Sequence, residues 1–87
     1  MATVFIPTQL RRLTGGADCT EAHGTTVADL IDDIERRFPG FRAAVVDRGD
    51  LSPSLAVSVD GDIASGGLLE PVRPESEVHF VPALGGG

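Results

Sequence analysis

One amphipathic helix pattern constrains the fold more than any other feature of the sequence. Its apolar residues recur at helical spacing and should form one stripe, made of Val27, Leu30, Ile31, Ile34 and Phe38. Thr26 and Asp29 match a capping pattern, in which the hydroxyl bonds the Asp29 amide and the carboxylate bonds back to Thr26. Phe38-Pro39-Gly40 is a stop signal. Such a stripe predicts a helix that packs on one face of a sheet.

The charged residues of this segment agree with a helix. Asp29 and Asp32 lie early and Arg36 and Arg37 lie late, which complements the helix dipole. Asp32 with Arg36, and Asp33 with Arg37, have i,i+4 spacing in the favourable order. We therefore expect two ion pairs along the exposed side of the helix.

Strand patterns precede the helix. Residues 3–6 are apolar and β-prone, and residues 10–13 should continue extended. Residues 14–17, Thr-Gly-Gly-Ala, mark a turn, and Cys19–Ala22 should form a second strand. The first third of the chain therefore predicts a β-hairpin.

Further strand patterns follow the helix. Residues 41–46 should form a short turn or helix, and residues 48–53 have loop composition. Leu55–Val59 alternates like a half-buried strand, and Asp60-Gly61 is the residue pair of a tight hairpin turn. Asp62–Ile63 should begin the return segment.

Together with a last strand at residues 78–82, this order predicts an α+β β-grasp fold, as in ubiquitin. One main helix would pack across a mixed sheet, with the first and last strands as parallel central neighbours. We divide the chain into a β-grasp domain, residues 1–82, and a flexible C-terminal glycine tail, residues 83–87. The tail would then lie just beyond the end of a central strand.

Composition argues against several functional classes. The formal net charge of −6 disfavours nucleic acid, whose binding needs a basic surface, and disfavours an anionic membrane surface. A protein partner with a basic docking face fits better. The sequence has no recognisable signal peptide and no apolar run near the ~20 residues that span a bilayer. Because its single cysteine cannot form an internal disulfide, we expect a cytoplasmic protein.

The glycines that end the sequence, Gly85, Gly86 and Gly87, are the strongest candidates for a reactive site. A terminal carboxylate is ionised at neutral pH and can act as an oxygen nucleophile. Glycine has no Cβ and accepts φ of either sign, so this tail could enter a narrow channel in a partner's active site. The alternative is a frayed terminus without a function.

Several short motifs occur in one order along the chain. They are Ile6-Pro7-Thr8, Leu10-Arg11, Thr14-Gly15-Gly16, Thr26-Val27, Phe38-Pro39-Gly40, Asp62-Ile63, Gly67-Leu68 and Pro82-Ala83-Leu84-Gly85-Gly86-Gly87. In this order the chain resembles the ThiS/MoaD-type sulfur carriers over essentially its full length. The front segment is similar to the CysO branch, whose members supply sulfide for cysteine synthesis. One departure is Gly85, where these carriers often have a small residue other than glycine.

The resemblance implies a mechanism in which the chain is a protein co-substrate and not an enzyme. An E1-like enzyme would bind ATP and Mg²⁺, and the Gly87 carboxylate would attack the α-phosphate to give an acyl-adenylate. A sulfur donor would displace AMP and leave a thiocarboxylate, which a client biosynthetic enzyme would use. The carrier itself would bind no metal or cofactor, since its contribution is positioning by docking.

Strand alternation predicts where such partners dock. If Val78 and Phe80 point to the core, then Phe5, His79 and Val81 should emerge together on the other face, beside the tail root at Pro82 and Leu84. An exposed aromatic residue with apolar neighbours suggests a docking site. The alternative is that residues 10–13 partly cover this patch.

A second functional class shares the fold and the acyl-adenylate step. A ubiquitin-like modifier or binding module would use the sheet surface, and its tail would form amide bonds with other proteins. The two classes differ in the fate of Gly87, which becomes a thiocarboxylate in one and an isopeptide in the other. Within the first class, the client pathway could be cysteine, thiamine, molybdopterin or a thio-containing metabolite.

Other candidate sites are weaker. Cys19 lacks the local signature of a cysteine nucleophile, so a core or edge-strand thiol is expected. His23 and His79 with one cysteine do not make a zinc set, and four cysteine ligands for an iron–sulfur cluster are absent from the sequence. The Gly-Gly pairs lack the Lys-Ser/Thr of a P-loop, and Arg48-Gly49-Asp50 is interpreted as a loop and not as an adhesion motif.

Overall fold

The structure is a computed structural model that describes residues 1–83 of the chain. This part contains seven strands, two α-helices and two 3-10 helices. In order they are β1 (Ala2–Phe5), a first 3-10 helix (Thr8–Thr14), β2 (Cys19–Ala22), α1 (Val27–Arg37), α2 (Phe41–Val45), β3 (Val46–Asp47), β4 (Asp50–Leu51), β5 (Leu55–Val59), β6 (Asp62–Ile63), a second 3-10 helix (Gly67–Leu69) and β7 (Glu77–Pro82). None of the helices in residues 1–83 is long and apolar enough to cross a membrane.

Five strands form one mixed sheet in the order β2-β1-β7-β5-β6. β1 and β7 are parallel neighbours, with Phe5 opposite His79, and β5 pairs antiparallel with β7, with Leu55 opposite Pro82. The pairs β1–β2 and β5–β6 are antiparallel. The sheet confirms the predicted β-grasp fold, including the parallel pairing of the first and last strands.

Helix α1 packs on one face of this sheet and confirms the predicted stripe. Val27, Leu30, Ile31 and Ile34 are buried, and Phe38 packs half-buried against the same core. The sheet contributes buried side chains that include Val4, Ile6, Val57, Val78 and Phe80. The core thus lies between the inner face of the sheet and a helical layer made of α1, α2 and the first 3-10 helix.

The start of α1 differs from the expected capping box by one residue. Thr26 is the N-cap, and its Oγ1 accepts a hydrogen bond from the Asp29 amide at 3.2 Å, as predicted. The Asp29 carboxylate, however, accepts from the amide and hydroxyl of Thr25, each at 3.1 Å. Gly24 permits this arrangement, because a Cβ at Gly24 would lie 2.3 Å from Asp29 Cβ.

One of the two expected ion pairs of α1 forms. Asp33 and Arg37 lie 3.4 Å apart, as predicted. The prediction for Asp32 was wrong, because Asp32 pairs with Arg42 at 2.8 Å, and Arg36 lies 3.8 Å from Asp33. The reason is tertiary, since α2 follows α1 closely and brings the Arg42 side chain to the helix surface.

Residues 10–13 are helical, so the expected extended segment was wrong. They belong to the first 3-10 helix, which ends at Gly15 in the left-handed conformation with φ 64°. Side chains three residues apart lie on one side of a 3-10 helix. Leu10 and Leu13 therefore both reach the core, Leu10 fully buried and Leu13 partly.

The region after α1 contains more regular secondary structure than its loop-like sequence predicts. Residues 41–45 form α2, as one of the two expected alternatives. Residues 46–51 form a small two-stranded sheet, β3 with β4, whose turn residues Arg48 and Gly49 have φ 55° and 80°. Positive φ values also occur in the confirmed β5–β6 turn, 52° at Asp60 and 92° at Gly61. Such turns match the twist of paired strands.

Candidate functional site

The candidate site lies at the end of the central strand β7, on the sheet face opposite α1. Side chains along a strand alternate between the two faces. Val78 and Phe80 point into the core, whereas His79 and Val81 are half-buried on the outer face. This is the orientation that the sequence predicts for both pairs.

Phe5 lies beside His79 on this outer face. Their rings stack, with centroids 4.2 Å apart and planes inclined by 5°. On the other side of β7, Ala56 is opposite Val81. We call Phe5, Ala56, His79 and Val81 the outer patch. The sequence predicts three of the four, and the alternation in Leu55–Val59 carries the signal for Ala56 as well.

The outer patch is less exposed than an open aromatic anchor would be. Phe5 and His79 are both half-buried because each ring covers one face of the other. Leu10 and Leu13 belong to the core on the other side of the sheet, so the first 3-10 helix packs with the helical layer. What the patch offers a partner is therefore a pair of half-buried stacked rings beside the half-buried side chains of Ala56 and Val81.

The opposite end of the outer face is acidic. Thr3 lies opposite Glu21 on β2 and opposite Glu77 on β7, and both glutamates are exposed. Since Thr3 and Phe5 are two residues apart on β1, these glutamates share the face of the outer patch. The face is thus apolar near the end of β7 and negatively charged near its start.

An exposed turn fixes the start of β7. The carboxylate of Asp60 accepts hydrogen bonds from the amide of Glu77 at 2.9 Å, from the hydroxyl of Ser76 at 2.9 Å and from Arg73 at 3.2 Å. These contacts, the Glu77 amide first, lower the pKa of the Asp60 carboxyl from its ordinary value. The aspartate that makes the β5–β6 turn therefore also holds the first residue of β7.

The tail root lies at the other end of β7. Pro82 is exposed, and the amide of Ala83 donates a hydrogen bond to the carbonyl of Ser54 at 3.0 Å. Leu84, Gly85, Gly86 and Gly87, which the sequence predicts as tail and reactive residues, lie outside the described residues. The structure therefore places the patch directly beside the point from which the predicted tail continues.

The remaining candidate residues do not assemble into a second site. Cys19 is exposed on the edge strand β2, as one of the expected alternatives, and lies opposite Phe5. The amide of His23 donates to Asp33 at 2.9 Å, which fastens β2 to α1. Among residues 1–83, no group of three or more His, Cys, Asp or Glu side chains could hold a metal ion.

Comparisons with known proteins identify the family of this chain. The ThiS family model matches residues 4–87. The sulfur carrier protein CysO of Mycobacterium tuberculosis is 36% identical over 90 residues, which cover 98% of this chain and 97% of that protein. These findings support a sulfur-carrier role.

Solved structures are similar over the whole fold. A chain in the crystal structure of the Amycolatopsis orientalis BexX/CysO complex has a TM-score of 0.91 and 39% identity, and the match covers 100% of both chains. The crystal structure of Mycobacterium tuberculosis CysO has a TM-score of 0.89 and 31% identity, covering 97% of this chain and 100% of that one. The small archaeal modifier protein 1 of Methanosarcina acetivorans, with a TM-score of 0.80 and 20% identity over 99% and 95% of the two chains, shows the shared fold alone.

Proposed function

Since the chain belongs to the ThiS family, we propose that it is a sulfur carrier that bears sulfur as a thiocarboxylate on Gly87. The observation that carries the proposal is the position of the glycines in the sequence, separated by two residues from Pro82, the last residue of the central strand β7. The similarity to CysO proteins over nearly the full length supports the same role.

The chemistry takes place at the terminus. A carboxylate oxygen of Gly87 attacks the α-phosphorus of ATP on an E1-like partner, pyrophosphate leaves, and the carrier becomes an acyl-adenylate. A sulfur donor then supplies the equivalent of hydrosulfide, the C–S bond forms and AMP departs. ATP and Mg²⁺ belong to the partner's site. The carrier lowers the barrier by holding its carboxylate in place through docking.

The outer patch is the surface we assign to docking. Residues 84–87 span at most about 14 Å when fully extended, so the partner's active site must lie that close to Ala83. The outer patch adjoins this point through Val81. Glu21 and Glu77, further along the same face, favour a partner that is apolar beside its channel and basic beyond it.

The sulfur serves biosynthesis in a client enzyme. The similarity to CysO proteins favours cysteine or a thio-containing metabolite as the product class, and the BexX/CysO complex is an instance in which a similar chain binds a second protein. We propose that a client enzyme uses the same outer patch, because its active site must also lie within reach of Gly87.

Intact mass measurement of the protein from its own cells tests the proposal. A thiocarboxylate adds the mass difference between sulfur and oxygen, and alkylation of the sulfur adds one label. Isopeptide conjugates of the chain to other proteins, with no thiocarboxylate, would assign it instead to the protein modifiers.

Activation by a purified E1-like enzyme gives the matched test, with ATP–pyrophosphate exchange as the readout. Deletion of Gly87, or Gly86→Val with its added Cβ in the channel, should abolish exchange while the fold stays intact. Undiminished exchange by the Gly87 deletion would show that activation does not require the Gly87 carboxylate.

Docking is tested separately by calorimetry. Phe5→Ala and Val81→Asp should weaken binding to the E1-like enzyme by roughly tenfold or more. Gln9→Ala is the control, because this residue is exposed on the first 3-10 helix, away from the outer patch. Wild-type affinity in both patch variants would place docking elsewhere on the acidic surface.

A further inference from the structure

The pairing of β7 with β5 continues beyond the strand ends. Leu55 is opposite Pro82 in the antiparallel register, so Ser54 and Ala83 are the next pair. The Ala83 amide donates to the Ser54 carbonyl at 3.0 Å, which makes this pair a hydrogen-bonded rung of the same ladder. The first residue after β7 is therefore held by the sheet.

Pro82 does not interrupt this ladder, although proline has no amide hydrogen. In an antiparallel pair, alternate residues carry the hydrogen bonds. At the other end of the ladder, Asp60 donates to the carbonyl of Glu77 at 2.8 Å, and Ala83 shares the parity of Glu77 along β7. Pro82 has the opposite parity and faces the β1 side, where pairing ends at His79. Its fixed φ thus stiffens the step to Ala83 without loss of a rung.

A small turn fixes the acceptor. The amide of Leu55 donates to the carbonyl of Ser52 at 2.9 Å, and the Ser52 and Ser54 hydroxyl oxygens lie 3.1 Å apart. The Ser52 amide in turn donates to the carbonyl of Val45, at the end of α2, at 2.8 Å. The Ser54 carbonyl is therefore anchored to the helical layer as well as to β5.

We propose that the Ser54–Ala83 rung is a positioning device for the reactive terminus, with Ala83 as the positioning residue. The rung fixes Ala83, so the partner's channel has only to bind the four residues that follow it, residues 84–87. Ordering one residue of backbone costs free energy, so a root that is already ordered favours the reactive geometry. This inference rests on the proposed activation of Gly87.

The sharpest test removes only the donor. In an ester analogue, lactic acid replaces Ala83, so an oxygen stands where the amide N–H was and the side chain is unchanged. We expect the exchange rate at saturating carrier to fall roughly 3- to 10-fold. The dissociation constant for the E1-like enzyme in the absence of ATP should stay within about twofold, because the outer patch is intact.

A second pair of variants tests the same Ser54–Ala83 hydrogen bond without a change in the tail. Pro53→Gly loosens the turn that presents the Ser54 carbonyl, and Pro74→Gly makes the same change in a different exposed loop. Pro53→Gly should slow exchange and Pro74→Gly should not, although both lower the melting temperature. Amide hydrogen exchange on the free protein should also show protection of Ala83.

The outcomes separate the inference from the proposed function. A wild-type rate in the ester analogue and in Pro53→Gly, or an unprotected Ala83 amide, overturns the positioning role while activation of Gly87 stands. An equal loss in rate and in binding also overturns it, because the rung then only supports the docking face. If the wild type itself supports no exchange, the proposed function fails instead.

Discussion

The inner and outer faces of the sheet are built from alternate residues of the same strands, yet they are held in different ways. Val4 and Val78 on the inner face have 0% exposure and lie under α1. Phe5 and His79, each next to one of these valines, are half-buried and depend on each other and on their strand neighbours. The comparison teaches that stability resides mainly in the inner face, which leaves the outer face available for recognition.

The largest expected effect tests this difference with one substitution at two positions. Ile34→Ala should cost about 2–4 kcal/mol of unfolding free energy, because Ile34 is fully buried and a cavity remains. Ile63→Ala should cost well under about 1 kcal/mol, because Ile63 is 68% exposed on the outer face, opposite Ser58. Chemical denaturation measures both. Equal losses of unfolding free energy would mean that the two faces contribute equally to stability.

Much of this comparison can be predicted from sequence, because burial on one face of an element leaves a local period. The stripe of α1 and the alternation in β5 and β7 are signals of this kind. The prediction for residues 10–13 was wrong because two leucines are too short a pattern to establish a period. Leu10 and Leu13 would lie on opposite faces of an extended segment and on one side of a 3-10 helix. Only the packing of Leu10 and Leu13 on the core decides between them.

The candidate site was predictable only in part, because some of its contacts join separate elements and leave no local period in the sequence. Alternation assigns Phe5, His79 and Val81 to one face once β1 and β7 are neighbours. The stack and the Ser54–Ala83 rung depend on strand register, which the local pattern does not specify. The Arg42 partner of Asp32 similarly depends on where α2 lies.

The edge of the sheet offers a matched arginine pair. Arg37 reaches from α1 to β2, where it donates to the Glu21 carbonyl at 2.6 Å and to the Thr20 hydroxyl at 2.9 Å. Arg37→Met should cost about 1 kcal/mol. Arg36→Met, the same change at the neighbouring residue, should cost only a few tenths, because Arg36 is a surface partner of Asp33 at 3.8 Å. Thermal unfolding distinguishes them, and equal melting temperatures would show that the β2 contacts add nothing.

Acid should weaken the helical layer that covers the inner face. Bonds from Thr25, chiefly its amide, lower the pKa of Asp29, and the amides of Arg42 and Gly40 lower that of Glu35. A carboxyl whose pKa is lower in the folded state stabilises the protein above its unfolded pKa. This stability is lost as the pH falls below about 4 and through the folded values.

Melting temperatures across this acid range provide the measurement. Asp29→Asn should melt lower than wild type at neutral pH and lose less on acidification. Asp62→Asn, at an exposed position on β6, should keep the wild-type profile. A wild-type pH dependence in Asp29→Asn would contradict the role of the Thr25 bonds at the start of α1.

The smallest effect belongs to the outer face, where the Phe5–His79 stack should be worth about 0.5–1 kcal/mol beyond the area that it buries. A double-mutant cycle with Phe5→Leu and His79→Gln measures this coupling by chemical denaturation, and each single variant should destabilise the fold only slightly. In the docking experiment, the same variants should lose much of their affinity for the E1-like enzyme, although they lose little stability. A coupling as large as the Ile34→Ala loss would mean that the outer face also stabilises the fold. The division of roles, in which the inner face stabilises the fold and the outer face binds partners, would then be contradicted at the central strand pair β1–β7.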